Sequence, residues 1–127
     1  MRYTAAPVKT IMLVEDSADL RATYAAHLET LGFDVVHAQD GLEALMLAKA
    51  QPPDVVILDI ALPKLDGFYV AELWKRDPVM ARVPVIAVSA YTDGGYKERA
   101  IRSGCSLALE KPCTPGELAA SIRAVLP

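Results

Sequence analysis

The sequence predicts an α/β fold in which five parallel strands alternate with five helices and form one doubly wound sheet. Short apolar runs rich in Val and Ile, such as "VVILD", are typical of strands that are buried on both faces of a sheet. The segments between these runs carry apolar residues at helical spacing. The 127 residues suffice for one domain with a hydrophobic core. Because strands and helices alternate, we expect right-handed crossovers and helices on both faces of the sheet.

The composition excludes several classes of protein. Hydrophobic residues make up 53% and charged residues 23% of the chain, which is typical of a globular protein and not of a disordered one. No apolar run approaches the length of a membrane span, and the net charge of −3 argues against non-specific binding of nucleic acid. The start "MRYTAAPVKT" has no long apolar core and no cleavage signature, so we expect a cytoplasmic protein with an extension at 1–8 and one domain at 9–127.

The first half of the chain predicts three strands and two helices. The runs "TIMLVED", "FDVVHA" and "DVVILD" are the strands. In "SADLRATYAAHLETLG" the helical spacing predicts one apolar face, made by Leu20, Tyr24, Leu28 and Leu31, and Gly32 is a natural C-terminal stop. Asp40 and Glu43 form a capping box at the start of "GLEALMLAKA", and the prolines at 52–53 prevent that helix from continuing.

The second half predicts three more helices and two more strands. The helix "LDGFYVAELWKRD" precedes the strand "VPVIAVSA". "DGGYKERAIRSG" has a weaker helical pattern because Gly94 and Gly95 disfavour a helix. After the short strand "SLALE", the last helix has the clearest start signal in the chain, with Thr114 as N-cap, Pro115 at the first position and Glu117 reaching back.

Polar residues stand where four of the five predicted strands end. Glu15 and Asp16 end the first strand, Asp59 the third and Ser89 the fourth, while Lys111 follows the fifth. In folds of this class, ligands bind at the carboxyl ends of the strands beside the point where the strand order reverses. If the first and third strands are neighbours, these side chains meet at one edge of the sheet.

Three carboxylates at one edge require compensation of their charge. A like-charge pair at about 4 Å costs on the order of 4 kcal/mol at an effective dielectric constant near 20, so either one acid holds a proton or a cation is bound. All-oxygen ligands favour Mg²⁺, Mn²⁺ or Ca²⁺ over zinc, and Mg²⁺ also recruits phosphate oxygens. The sequence contains no phosphate-binding glycine-rich loop of the nucleotide-binding types. The remaining chemistry is attack of a carboxylate on phosphorus to give an aspartyl phosphate.

Each of these residues also has an ordinary structural role open to it. Asp59 can accept hydrogen bonds from the amides of the following turn, and Asp16 or Ser17 can cap the first helix. Ser89 can be a structural hydroxyl and Lys111 a solvated charge. The functional hypothesis rests on their joint placement. The two cysteines and two histidines, by contrast, lack the spacing of a metal or redox site, and we expect them to be structural or solvated.

Four motifs taken together resemble the receiver domain of bacterial two-component response regulators. They are "LVED" at 13–16, "VVILDIALPKLDG" at 55–67, "VIAVSA" at 85–90 and "LEKP" at 109–112, and the resemblance covers essentially the whole chain. It implies the flavodoxin-like (βα)5 fold, also called CheY-like, with strand order 2-1-3-4-5. That order makes the first and third strands neighbours.

The resemblance also implies a role for each residue of the motifs. Asp59 would be the phospho-acceptor, and its phosphoryl oxygens would contact Ser89 and Lys111. The implied cofactor is Mg²⁺, with Asp16 as a direct ligand and Glu15 as a water-mediated one. Asp59 and the backbone carbonyl of Ala61 would complete the protein ligands. The family often has a cis peptide bond before the proline of "LEKP".

The implied partner is a histidine kinase or a histidine phosphotransfer protein, which donates a phosphoryl group from phosphohistidine. The implied function is a change of conformation that signals to a downstream protein, without enzymatic turnover of other substrates. From the composition and charge we expect no membrane or nucleic-acid contact. Two alternatives remain open from the residues. One is a binding module that never needs phosphorylation, against which the intact set of site residues argues. The other is a hydrolase with an aspartyl-phosphate intermediate, but such hydrolases carry a DxD motif where this chain has "ED".

One residue departs from the family pattern in a way that matters for signalling. The family's fifth strand normally carries Tyr or Phe three residues before the lysine, and here that position is Ala108. We therefore expect the structural change to remain near the loop after the fourth strand and the start of the fourth helix. A substitute ring supplied by Tyr91 is the alternative.

Overall fold

A computed structural model describes residues 7–90 and 94–127 of the chain. Five strands alternate with five helices, as the sequence predicts, and a short 3-10 helix that the sequence analysis does not predict lies at Met80–Arg82. The strands are β1 (Thr10–Val14), β2 (Asp34–Ala38), β3 (Val55–Asp59), β4 (Val85–Ser89) and β5 (Leu107–Glu110). The helices are α1 (Ala18–Thr30), α2 (Gly41–Ala50), α3 (Gly67–Arg76), α4 (Tyr96–Arg102) and α5 (Pro115–Val125).

All pairs of neighbouring strands are parallel, and the strand order is β2-β1-β3-β4-β5. This confirms the predicted fold class. Because β1 lies between β2 and β3, the direction of winding reverses beside it. Val14 pairs with Leu58, so the residues that follow β1 and those that end β3 lie side by side. The strand pairing therefore brings the predicted polar residues to one edge of the sheet.

The sheet separates two apolar layers, because alternate residues of each strand point to opposite faces. One layer packs β1, β3 and β4 against α2, α3 and α4, and includes Leu58, Val70 and Trp74. The other packs the same strands against α1 and α5, and includes Leu28 and Ile122. Every residue of β3 and β4 is buried, which matches the unbroken apolar runs seen in the sequence.

Side-chain caps fix the starts of several helices. Thr114 and Glu117 form the complete capping box predicted for α5. In α2, Asp40 accepts a hydrogen bond from the amide of Glu43, as predicted. The Glu43 carboxylate, however, accepts from the amide of Gln39, one residue before the cap, so the reciprocal half of the predicted box is displaced.

The ends of the helices agree with the sequence at one position and differ from it at others. Gly32 follows the end of α1 as predicted, with a positive φ of 94°, a conformation that favours glycine. Leu31, predicted on the apolar face of α1, is exposed because it follows the last helical residue. Helix α4 begins after Gly95, while residues 91–93 and most of the predicted extension lie outside the described part of the chain. Within the described ranges, no helix is long and apolar enough to cross a membrane.

Candidate functional site

The carboxyl ends of β1, β3 and β4 and the residue after β5 form the candidate site. Asp59 is the last residue of β3, and it is buried although it carries a carboxylate. The amide of the next residue, Ile60, donates to the carbonyl oxygen of Val88 at 3.0 Å, so Asp59 stays in register with the end of β4. The structure thus holds the carboxylate on a rigid strand end and not on a free loop.

Lys111 lies between two of the predicted acids. Its Nζ donates to Oε1 of Glu15 at 2.6 Å and to Oδ2 of Asp59 at 3.0 Å. Burial alone would lower the pKa of Lys111, but its hydrogen bonds and charge interactions with Glu15 and Asp59 outweigh burial and leave the pKa raised. The ammonium therefore stays charged and offsets part of the repulsion between these two buried carboxylates.

The third acid, Asp16, is exposed beside the other two. One carboxylate oxygen from each of Glu15, Asp16 and Asp59 can be chosen so that the three lie within 4.8 Å of one another. Hydrogen bonding with Glu15 raises the pKa of Asp16, and desolvation and the charge of Glu15 act in the same direction. Lys111 therefore relieves only part of the charge crowding, and Asp16 is the carboxylate left with the least compensation.

The chain after β1 holds Glu15 in place. The amide of Ser17 donates to Oε2 of Glu15 at 3.1 Å, and the guanidinium of Arg21 donates to its carbonyl oxygen. Ser17 is also the N-cap of α1, because its hydroxyl accepts a hydrogen bond from the amide of Leu20 at 3.2 Å. Ser17, and not Asp16, is therefore the cap, which leaves the Asp16 carboxylate available to the site.

The loop after β3 contacts the remaining oxygen of Asp59. The amide of Ala61 donates to Oδ1 at 3.0 Å, so the ordinary role considered for Asp59 is present beside the functional geometry. Gly67 closes this loop, since its amide donates to the carbonyl oxygen of Ile60 at 3.1 Å. A Cβ on Gly67 would lie 2.6 Å from Cα of Ile60, so only glycine permits this approach.

Ser89 is fully buried at the end of β4, one residue beyond the partner of Asp59 in the strand pairing. Its carbonyl oxygen accepts a hydrogen bond from the amide of Lys111 at 2.9 Å. The peptide bond between Lys111 and Pro112 is cis, as the resemblance implied. Ser89 and Lys111 are thus joined through the backbone at the same edge of the sheet as Asp59.

The structure brings together Glu15, Asp16, Asp59 and Lys111, with Ser89 and Ala61 on adjoining backbone. The cysteines are free thiols buried in the apolar layers, and His37 is exposed on β2. Two residues that support the site, Gly67 and Tyr96, are not predicted from the sequence. Gly67 could have been found from the glycine that ends "KLDG", whereas the contacts of Tyr96, described below, leave no local sequence signal. Tyr91, considered as a substitute ring, lies outside the described residues.

Comparison with known proteins decides the family. A family model described as the response regulator receiver domain matches residues 11–123. The chain belongs to the response regulator receiver family. Its motifs and its fold agree with this membership, and as a receiver domain it is a component of two-component signalling.

The receiver domain has curated relatives of two lengths. It is 33% identical over 118 residues to the polar-differentiation response regulator DivK of Brucella anthropi, a match that covers 93% of this chain and 96% of that protein. It is 40% identical over 116 residues to the probable transcriptional regulator ycf27 of Guillardia theta, which covers 91% of this chain but 44% of that protein. The chain therefore spans less than half the length of the second relative and nearly all of the first.

Solved structures show the same fold. The chemotaxis response regulator CheY4 of Vibrio cholerae aligns with a TM-score of 0.89 at 27% sequence identity, over 94% of this chain and 100% of that one. A putative response regulator from Chloroflexus aurantiacus aligns with a TM-score of 0.88 at 26% identity, over 93% of this chain and 97% of that one.

Proposed function

We propose that this receiver domain accepts a phosphoryl group on Asp59 from a phosphohistidine and changes conformation to signal to a partner protein. The donor is a histidine kinase or a histidine phosphotransfer protein. The observation that carries the proposal is the placement of Asp59, a buried carboxylate at a rigid strand end that shares one ammonium with a second buried acid.

The proposed step is a transfer between two nucleophiles. An oxygen of Asp59 forms a bond to phosphorus as the bond between phosphorus and the histidine nitrogen breaks, and the electron pair of that bond returns to the imidazole ring. Lys111, which lies beside Asp59, contacts the incoming phosphoryl group and stabilises its negative charge. We assign the hydroxyl of Ser89 to another phosphoryl oxygen, because Ser89 adjoins Lys111 through the backbone.

The acidic residues suit a bound Mg²⁺ ion. Their ligand atoms are all oxygens, they lie within 4.8 Å of one another, and the exposed Asp16 leaves one side open to water. Asp16, Asp59 and the carbonyl oxygen of Ala61 would hold the ion, and Glu15 would hold one of its waters. When bound, Mg²⁺ supplies positive charge that neutralises the transferred phosphoryl group.

Several further points belong to this proposal. The domain spans 9–127, and it turns over no substrate other than its own aspartyl phosphate. Its downstream partner is a protein, and neither a membrane nor nucleic acid takes part. We propose a cytoplasmic location, which agrees with the family and with the two free thiols.

Phosphorylation can be tested with a small phosphodonor. The protein is incubated with acetyl phosphate and Mg²⁺, and its intact mass is measured. One base-labile phosphoryl group is expected on the wild type, and none on Asp59→Asn or in the presence of a chelator. Asp34→Asn is the matched control, because Asp34 is an exposed carboxylate at the opposite end of the sheet and should leave the adduct unchanged. A stable adduct on Asp59→Asn would falsify the assignment.

A further inference from the structure

Tyr96, the first residue of α4, connects two parts of the molecule that border the Asp59 site. Its side chain is 3% exposed although it lies at a helix start. Its hydroxyl donates to the carbonyl oxygen of Leu109 in β5 at 2.9 Å. Its ring packs against Phe68 of α3, with a centroid distance of 6.4 Å and an angle of 54° between the ring planes. Tyr96 therefore holds α4 to a strand and to a second helix at once.

The contact with Phe68 leads back to Asp59. Phe68 is the second residue of α3, and its amide donates to the Asp66 cap at 2.9 Å. Gly67 lies between these two residues, and its amide donates a hydrogen bond to the carbonyl oxygen of Ile60 at 3.1 Å. Ile60 directly follows Asp59. Ile60 and Phe68 also belong to the same apolar cluster as Tyr96.

The contact with Leu109 leads to Lys111. Leu109 lies two residues before Lys111. The amide of Lys111 donates a hydrogen bond to the carbonyl oxygen of Ser89, and its ammonium donates to Asp59. The hydroxyl of Tyr96 therefore holds the backbone of β5 two residues before Lys111, the residue that offsets the charge of the site. Among the described residues, this is the one hydrogen bond that a side chain of α4 makes to the backbone of β5.

The strands leave room for this ring because their side chains are small. Ala87 of β4 and Ala108 of β5 are paired neighbours, and both pack in the apolar cluster that contains Tyr96. Helix α4 buries only Tyr96 and Ala100. Since β5 supplies no aromatic residue of its own, the large side chain at this place comes from α4.

We propose that Tyr96 is a positioning residue that couples the Asp59 site to α4. The proposal rests on the proposed phosphorylation of Asp59. A phosphoryl group on Asp59 competes with Glu15 for the Lys111 ammonium, so the end of β5 and the loop after β3 both adjust. Tyr96 contacts β5 directly and reaches the loop after β3 through Phe68 of α3, so the start of α4 adjusts with both. Arg99 and Arg102 of α4 also line a groove of about 780 Å³, together with the loop after β3. A movement of α4 therefore changes a surface that a partner can reach.

Tyr96→Phe tests the link, because it keeps the ring and removes only the hydroxyl. Amide chemical shifts are compared with and without beryllofluoride and Mg²⁺, a mimic of the phosphoryl group. In the variant, we expect the chemical-shift changes at Asp59, Ser89 and Lys111 to persist. The changes at 97–102 should fall by about twofold or more, because the variant weakens the coupling between the two regions. Tyr69→Phe is the matched control, since Tyr69 is an exposed tyrosine on α3, and it should behave as the wild type.

The possible outcomes separate this proposal from the proposed function. Equal changes along α4 in the wild type and in Tyr96→Phe would overturn the coupling role while leaving Asp59 as the acceptor. A parallel loss at both Asp59 and α4 in Tyr96→Phe would also overturn it, because it would show general structural support and not coupling. No response at Asp59 in the wild type would overturn the proposed function, and this proposal with it.

Discussion

In the receiver domain, Nζ of Lys111 lies 3.0 Å from Oδ2 of Asp59, inside a site whose second acid, Glu15, contacts the same ammonium. The two carboxylates are almost fully buried, whereas the lysine side chain keeps 22% of its exposure. One charge thus serves two acids. One negative charge of the two carboxylates therefore remains uncompensated by Lys111.

Removal of this lysine should destabilise the fold at neutral pH. Lys111→Met leaves two buried carboxylates without their shared cation, and we expect a loss on the order of 2 kcal/mol in the free energy of unfolding, below the value for a fully buried pair. Chemical denaturation at pH 7 measures this loss, and the addition of Mg²⁺ should recover part of it. Lys97→Met is the control, because that ammonium is exposed and lies 3.8 Å from Glu110; its effect should stay within about 0.5 kcal/mol. Equal losses in the two variants would contradict the shared role of Lys111.

A methyl group at Gly67 should disturb the loop after β3. The Cβ of Gly67→Ala would lie 2.6 Å from Cα of Ile60, so backbone must move, and we expect a cost of about 1–3 kcal/mol. Thermal unfolding measures the cost, and the yield of the acetyl-phosphate adduct should fall as well. Gly94→Ala is the matched control, since none of the described residues lies within 4 Å of its Cβ, and its stability should remain within about 0.5 kcal/mol of the wild type.

Both cysteines should resist alkylation in the folded protein. Burial raises the pKa of Cys105 to about 12 and also raises the pKa of Cys113, so neither forms a thiolate readily at pH 8. We expect iodoacetamide to modify them at least about a hundredfold more slowly than in the unfolded chain, because attack requires local opening. Mass spectrometry over time follows the reaction. Ser106→Cys places a thiol at an exposed neighbouring position and should react rapidly; rapid reaction of the native thiols would contradict their burial.

The 3-10 helix should contribute a pH-dependent part of the stability. The amides of Met80 and Val79 donate to the Asp77 carboxylate and lower its pKa from the ordinary value of 3.8. A lowered pKa means that the ionised form stabilises the fold above pH 3.8 and that this contribution is lost as the pH falls through the folded-state pKa. Asp77→Asn should therefore unfold at a lower temperature than the wild type at pH 7.

The difference between Asp77→Asn and the wild type should close under strongly acidic conditions, where both side chains are uncharged. Asp77→Ala also loses the acceptor and should remain less stable at every pH. Unfolding temperatures measured from about pH 2 to about pH 7 show how far each variant differs from the wild type at each pH. A constant gap for Asp77→Asn would show that the charge of Asp77 has no part in the cap.

The local signals in the sequence predict most of this fold. The apolar runs mark β3 and β4 because both strands are buried on both faces, and Thr114 with Glu117 marks the start of α5 because the cap lies within four residues. The displaced partner of Glu43 and the exposure of Leu31 could not be predicted, since each depends on where the helix end lies by a single residue.

The site was predictable only in part. The strand-end rule brings Asp16, Asp59 and Lys111 together before any contact is known. The sharing of Lys111 between Glu15 and Asp59 depends on side-chain distances that no periodicity encodes. The role of Tyr96 depends on space left by Ala87 and Ala108, which lie on strands that meet only in the folded sheet.

The edge position of β5 has a consequence for the synthesis of the chain. β5 pairs with β4 alone, and β4 consists of five buried residues, "VIAVS". Until β5 and α5 leave the ribosome, that apolar strand presents an unprotected hydrogen-bonding edge, which is a template for aggregation. The segment that contains β5 and α5 therefore protects this edge of β4 in the nascent domain, and truncated products that end before β5 should become insoluble and fail to accumulate as partly active species.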